Sequence, residues 1–363
     1  MRVSFKLILA LALALATAGT PAAAPPADTT TAPALQSIGP LTFGADGLLF
    51  AADSQAAAIY ALDLGAGAEG AASGTKAIAN LDRQIAALLG TDAREITITD
   101  LAVHPKTHNA FISVMRGQGA DAKPVLLRAD GAGKIDIVDL MKLKSSRVTL
   151  PNAPNVTTGA RAGRVESITD MAYADGRLYV AGLSNEEFSS KLRSIAYPFT
   201  AADAGTSVEI YHGSHGQLET RSPVYTFVPY TVGTQTNLIA GYLCTPLVKF
   251  PVSDLRPGAR VRGTTIAELG AGNRPIDMIL YKKDGKQFLL MSNTSRGVMK
   301  IPTDRFGTAA GITTPINDKA GISYETVQSM KGIVQLDLLD DTHSLVVARS
   351  DAGTLNLDAV ALP

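Results

Sequence analysis

The sequence predicts an all-β fold, a six-bladed β-propeller with long inter-strand loops on one rim, or seven blades if an insertion hides a further copy. The clearest sign is Arg274 to Asp304, which reads as three short strands, Asp277 to Tyr281, Gln287 to Met291 and Val298 to Pro302. The first two flank a turn at Asp284-Gly285, and an Asp-Gly pair between two apolar runs is a strong hairpin signal because both positions tolerate φ > 0. The third alternates apolar and polar residues, as a half-buried outer strand does. The second sign is recurrence of this unit along the chain, and the third is that only one segment has helical periodicity.

The copies run in order. Copy one is Leu41 to Leu64, and copy two is Asp100 to Leu140, whose last strand is Lys134 to Val138. Copy three, Asp170 to Phe199, takes a fourth strand from Val208 to Tyr211. Copy four, Val224 to Leu255, takes one from Thr264 to Leu269. The Arg274 stretch is copy five, and Gly332 to Leu362 is copy six. Self-similarity at this spacing is what blades around an axis produce. A ring must close, since open strand edges template aggregation. Leu35 to Ile38 is the segment expected to join the last blade.

Three insertions interrupt the spacing. Asn80 to Leu89 places Leu81, Ile85, Leu88 and Leu89 on a 3.6-residue period and predicts a short amphipathic helix. Lys142 to Arg164 reads as a long basic loop, and Thr303 to Val327 as a connection without periodicity. Loops of this length in a compact fold are usually functional or disordered.

The N-terminus reads as a processing signal over residues 1–18. Arg2 and Lys6 precede the apolar run Leu7 to Ala16, and Ala16-Thr17-Ala18 forms the cleavage site. The run is too short for a membrane span, so none is expected after cleavage. Residues 19–34, dense in Ala, Pro and Thr, predict a flexible segment, and residues 35–363 a single propeller domain. This places the mature protein in the periplasm or outside the cell.

Composition narrows the function. Formal charge is zero, which gives no basis for binding nucleic acid. With one cysteine there is no internal disulfide, and 46% hydrophobic residues must supply the core. No G-x-S-x-G, H-E-x-x-H or G-x-x-x-x-G-K-[ST] motif occurs.

Two constellations carry chemistry. Asp100, Asp170 and Asp277 stand at the entrance to the innermost strand of three copies, with Glu166 and Arg274 shortly before two of them. Converging on the channel, they could hold a divalent cation, Ca²⁺ or another, through oxygen ligands, or clamp a polar ligand with Arg274 as counter-charge. Alternatively, each Asp accepts backbone N–H bonds and locks one blade to the next. The second constellation is His212 and His215 in a glycine-rich turn, with Cys244 in the following blade. Two imidazoles and a thiolate suit copper or zinc. Otherwise the glycines serve a tight turn and Cys244 is a small buried hydrophobe. His104 and His108 read as residues of a surface turn.

Asp170 with Asp175-Gly176 and Val180-Ala181, Asp277 with Asp284-Gly285, and Asp46-Gly47 with Ala51-Ala52-Asp53 share one form: Asp, apolar run, Asp-Gly, apolar run ending in Ala. In this the chain resembles the six-bladed propellers of the NHL-repeat and gluconolactonase-like superfamily. The resemblance implies a channel-mouth cation, held by carboxylates and an Asn, that polarises a lactone or ester carbonyl with an Asp as base. The leading expectation is nevertheless a binding module for a small polar ligand or a periplasmic protein. The alternatives are that metal-dependent hydrolase and, more remotely, a copper-binding redox accessory protein.

Overall fold

The computed structural model describes residues 28–29, 32–44, 46–65, 77–155, 163–244 and 246–363. The expected signal peptide lies outside the described residues, as does the start of the segment that follows it.

In chain order, β1 (Asp28–Thr29) is followed by β2 (Leu41–Phe43), β3 (Leu49–Asp53) and β4 (Ala58–Asp63). After helix α1 (Leu81–Leu89) come β5 (Ile96–Val103), β6 (Ala110–Arg116), β7 (Lys123–Ala129), β8 (Ile135–Ile137) and β9 (Lys144–Thr149). Then follow β10 (Asp170–Ala174), β11 (Arg177–Leu183), β12 (Ser190–Ala196), β13 (Thr206–His212) and β14 (Gln217–Glu219). Next are β15 (Val224–Val232), β16 (Gln235–Tyr242), β17 (Pro246–Pro251), β18 (Arg260–Arg262) and β19 (Thr264–Leu269). The chain continues with β20 (Pro275–Lys283), β21 (Lys286–Asn293), β22 (Gly297–Pro302), β23 (Lys319–Gly321) and β24 (Glu325–Thr326). It ends with β25 (Ile333–Leu338), β26 (His343–Arg349) and β27 (Leu355–Ala361).

These strands build six sheets, the six blades of a propeller, antiparallel throughout except where β18 runs parallel to β13. The predicted hairpins hold: Asp175-Gly176 and Asp284-Gly285 both adopt positive φ and turn β10 into β11 and β20 into β21. The innermost strands are β2, β5, β10, β15, β20 and β25.

The order of blades around the axis is not the order of the chain. Strand β2 packs against β5 on one side and β10 on the other, while β25 packs against β5. Numbered by sequence, the ring therefore reads one, three, four, five, six, two. Each seam has its own apolar cluster. Phe50 and Ile59 of blade one meet Leu178 and Val180 of blade three, and Leu49 and Leu62 on the other side of blade one meet Phe111 and Leu126 of blade two. Leu345 and Leu357 of blade six pack with Ile112 and Leu127 of blade two.

Blade one is assembled from two separated segments. Strand β9, within the stretch that the sequence reads as a loop, returns from blade two and pairs with β4 along its whole length. Its alternation is weak, with only Val148 buried, so periodicity alone did not reveal it. Strand β1 adds backbone pairing to the outer side of β9. The Thr303 to Val327 connection likewise contains strands, β23 on blade four and β24 on blade five.

Ring closure also differs from expectation. The Leu35 to Ile38 segment stays on blade one, because the buried Asp53 carboxylate collects the amides of Gln36 (2.7 Å) and Ser37 (3.0 Å). The outer edge of blade six is instead met by Ile78, which bridges Leu357 just before α1. The helix forms as predicted and buries Leu81 and Ile85 in the seam between blades six and two, although Leu88 points to solvent. Ile85→Ala should lower stability by about 3 kcal/mol through the cavity it leaves, read as a shifted urea midpoint with an unchanged slope. A cost below about 1 kcal/mol would show that the helix does not hold this seam.

Candidate functional site

The channel is ringed by aspartates in a repeated geometry. Asp100 accepts the amide of Leu101 at 2.8 Å on one oxygen and that of Leu41, in blade one, at 2.6 Å on the other. Asp170 does the same with Met171 (2.7 Å) and Phe227 of blade four (2.8 Å). Asp277 binds Met278 (2.8 Å) and Leu336 of blade six (2.9 Å). Sequence reading missed a fourth member, Asp337, which binds Leu338 (2.7 Å) and Val103 of blade two (2.7 Å). Its signal was present, an Asp before an apolar pair in copy six, as in Asp277-Met278. Each carboxylate thus latches its blade to the next one.

The four aspartates, together with residues of all six inner strands, line a cavity of ≈ 360 Å³ in the channel. Its other lining residues, Phe43, Met171, Phe227 and Leu280 among them, carry no Lys, Arg or His. Each aspartate keeps some surface on the lumen yet is surrounded by protein. Desolvation therefore dominates their ionisation and favours the neutral acid. Asp170 is pushed to about 7 and Asp337 to about 6, both by burial. Asp100 and Asp277 are raised well above the usual range, by burial first and then by neighbouring carboxylates.

As a cation cage this set fits poorly. The oxygens of Asp100, Asp170, Asp277 and Asp337 do not gather closely enough to share one ion. Among the described residues, the one group of three or more His, Cys, Asp or Glu with ligand atoms close enough to share an ion lies elsewhere.

Glu166 and Arg274 do not line the cavity. They precede the N-terminal ends of the inner strands β10 and β20 and meet through Tyr225. The Tyr225 hydroxyl donates to Glu166 Oε1 at 3.2 Å, and the Arg274 guanidinium lies 4.1 Å over the Tyr225 ring. Partial burial raises the Glu166 carboxyl, opposed by the Tyr225 bond and the Arg274 charge. The single five-residue cluster anticipated from sequence is thus two groups, the latching aspartates in the channel and the Glu166–Tyr225–Arg274 set outside the cavity.

The histidines and the cysteine do converge. One ligand atom from each of His212, His215 and Cys244 lies within 4.8 Å of the others. His212 ends β13, a single turn over Gly213–His215 folds the chain back into β14, and Cys244 sits in the turn between β16 and β17. Cys244 is only partly buried, not an enclosed hydrophobe. Its amide donates to the Asn273 carbonyl at 2.8 Å, which places this group beside Arg274 on the same rim. Glu219, unnoticed in the sequence, faces both imidazoles and is held down at about 2, burial being outweighed by the adjacent His212 and His215 rings and by the Ser222 hydroxyl. His104 does sit in a turn, but it is buried. Its Nδ1 accepts the amides of Lys106 and Thr107, and its ring packs edge-on to Phe43 at 5.0 Å.

No protein-family model and no curated protein sequence matches the chain. Several solved structures resemble it. One is described as an oxidoreductase (glucose dehydrogenase) from Thermus thermophilus, 12% identical, with 92% of this chain and 99% of that one covered and a TM-score of 0.35. Another is the PQQ-bound aldose sugar dehydrogenase of Streptomyces coelicolor, 11% identical over 94% and 100% of the two chains, TM-score 0.30. A third is the periplasmic gluconolactonase PpgL of Pseudomonas aeruginosa, 12% identical over 90% and 85%, TM-score 0.33. Among the described residues no helix is long and apolar enough to cross a membrane.

The raised carboxyls have a consequence for stability. Asp170 and Asp337 titrate near 7 and 6 in the folded chain, against about 3.9 when unfolded. The folded state therefore holds more protons in this window. Their contribution is complete below about pH 4 and is lost as pH rises through 6 to 7. Glu219, held at about 2, works oppositely and loses its contribution only as pH falls toward that value. Asp170→Asn should flatten the decline between pH 5 and 8 by up to one proton, about 1.4 kcal/mol per pH unit at most. Urea midpoints at the two pH values check this, and an unchanged slope would contradict the raised pKa.

Proposed function

We propose that this chain is a secreted or periplasmic binding module that takes a small organic amine, or another donor-rich polar molecule, into the channel cavity. The observation that carries this is the lining: four carboxylates and no basic side chain around ≈ 360 Å³. That volume is within the usual range for small-ligand sites. Each carboxylate oxygen accepts one backbone amide and keeps a lone pair for a ligand N–H or O–H. Burial first, and then mutual repulsion, raises Asp100 and Asp277, and a cation entering among them offsets the repulsion. The apolar walls provide the burial that such pockets use, and the aspartates fix orientation.

A second reading, hydrolysis of a lactone or ester, is favoured by Asp170 alone. A carboxyl near 7 is suited to proton transfer at neutral pH. The cation of the metal-dependent version would have to be held by carboxylates that, among the described residues, do not gather closely enough to share one ion.

Calorimetric titration with putrescine and spermidine at pH 6 and pH 8 tests the main reading. Binding should tighten at least tenfold at the higher pH, as the carboxylates ionise, and weaken at least tenfold in Asp170→Asn. Binding by neither amine would sink it. Turnover of gluconolactone that disappears in Asp170→Asn would install the hydrolase instead.

A further inference from the structure

The rim group of His212, His215 and Cys244 has a construction that the channel does not explain. His212 is only 2% exposed, yet neither of its ring nitrogens has a hydrogen-bond partner. Glu219 Oε2 lies 3.1 Å from Nδ1 but out of hydrogen-bond alignment. A buried polar atom left unpaired costs about 1–3 kcal/mol. The Tyr242 hydroxyl, two residues before Cys244, is also buried without a partner.

The surroundings hold the imidazoles in one arrangement. Their rings overlap with centroids 3.8 Å apart. Gly213 makes this possible, because a Cβ there would stand 2.8 Å from Ile316 and 3.1 Å from the Glu268 carboxylate. His215 Nδ1 is bonded to Glu219 Oε1 at 2.6 Å. With Nδ1 of both rings turned toward one carboxylate, Nε2 is the nitrogen each can offer. A carboxylate on the far nitrogen is the usual outer support of a metal-bound histidine.

We propose that His212, His215 and Cys244 bind one thiophilic first-row metal ion, Zn²⁺ or copper, with Glu219 orienting both imidazoles from outside the coordination sphere. Two imidazoles and a thiolate form a borderline-soft donor set that selects such ions over Ca²⁺ or Mg²⁺. Ligand atoms around a tetrahedral ion stand about 3.5 Å apart, so the 4.8 Å limit on their present spacing leaves little to close. On binding, the Cys244 thiol gives its proton to solvent and the sulfur bonds the metal, with no change in oxidation state. Three protein ligands leave a fourth position open.

The test uses the full chain, reduced and stripped with chelator, titrated with Co²⁺ as a spectroscopic probe and then with Zn²⁺ and Cu²⁺. One equivalent of Co²⁺ should produce a thiolate-to-metal charge-transfer band and intense tetrahedral d–d absorption, both removed by one equivalent of Zn²⁺. The charge-transfer band should vanish in Cys244→Ser, and the partly exposed His215→Gln should bind at least tenfold more weakly while its apo form keeps the wild-type circular dichroism spectrum. Zn²⁺ should slow alkylation of Cys244 by iodoacetamide at least tenfold. Substoichiometric Co²⁺ binding, a band that survives in Cys244→Ser, or alkylation that Zn²⁺ does not slow would each overturn the site. Elemental analysis of the chain purified without chelators assigns the ion.

Discussion

The double acceptance of backbone amides by one buried carboxylate is the interaction on which the ring depends. In each of Asp100, Asp170, Asp277 and Asp337 one oxygen takes the following residue's N–H and the other takes an N–H from the neighbouring blade. Inner strands of a propeller have no ladder partner on the channel side, so their amides would otherwise go unpaired. An Asp reaches both because its side chain is short enough to bond its own strand and still point across the seam. The two inner strands without such a residue, β2 and β15, receive latches rather than give them. The blade following each is held by other means, as between blades one and three, where the Ser54 hydroxyl donates to the Ile168 carbonyl and the Ser167 hydroxyl to the Ser54 carbonyl.

The same latch sets the electrostatics of the cavity. A carboxylate placed to serve amides must be enclosed, and enclosure of several around one axis raises them all. Structural need and ligand chemistry are therefore coupled. The acidic floor of the cavity is a by-product of the seams and is also the feature that a donor-rich guest would read.

Much of this was legible in the sequence, and what was not has physical reasons. The hairpins were visible because Asp-Gly turns and apolar runs are local. Asp100, Asp170 and Asp277 stood out because they occupy one place in a repeat, and both roles considered for them begin from that place. Strand β9 was hidden because its faces are mostly half-buried and its partner, β4, lies far back in the chain. The ring order could not be inferred from copies alone, since repeats announce their number and not their neighbours. The meeting of His212 and His215 with Cys244 was only a juxtaposition in sequence. It takes the β13–β14 hairpin of blade three and the β16–β17 turn of blade four to bring them together. Glu219 had no motif to mark it.

The split construction of blade one bears on how the chain is made. As synthesis proceeds, β4 emerges with an open edge and cannot acquire its partner until all of blade two has followed it. Blades one and two therefore mature together as a paired unit. Blade three adds to one flank of that unit and blade six later docks on the other. In the ring blade one therefore lies between blades two and three, and the seam between blades six and two waits for the last strands of the chain.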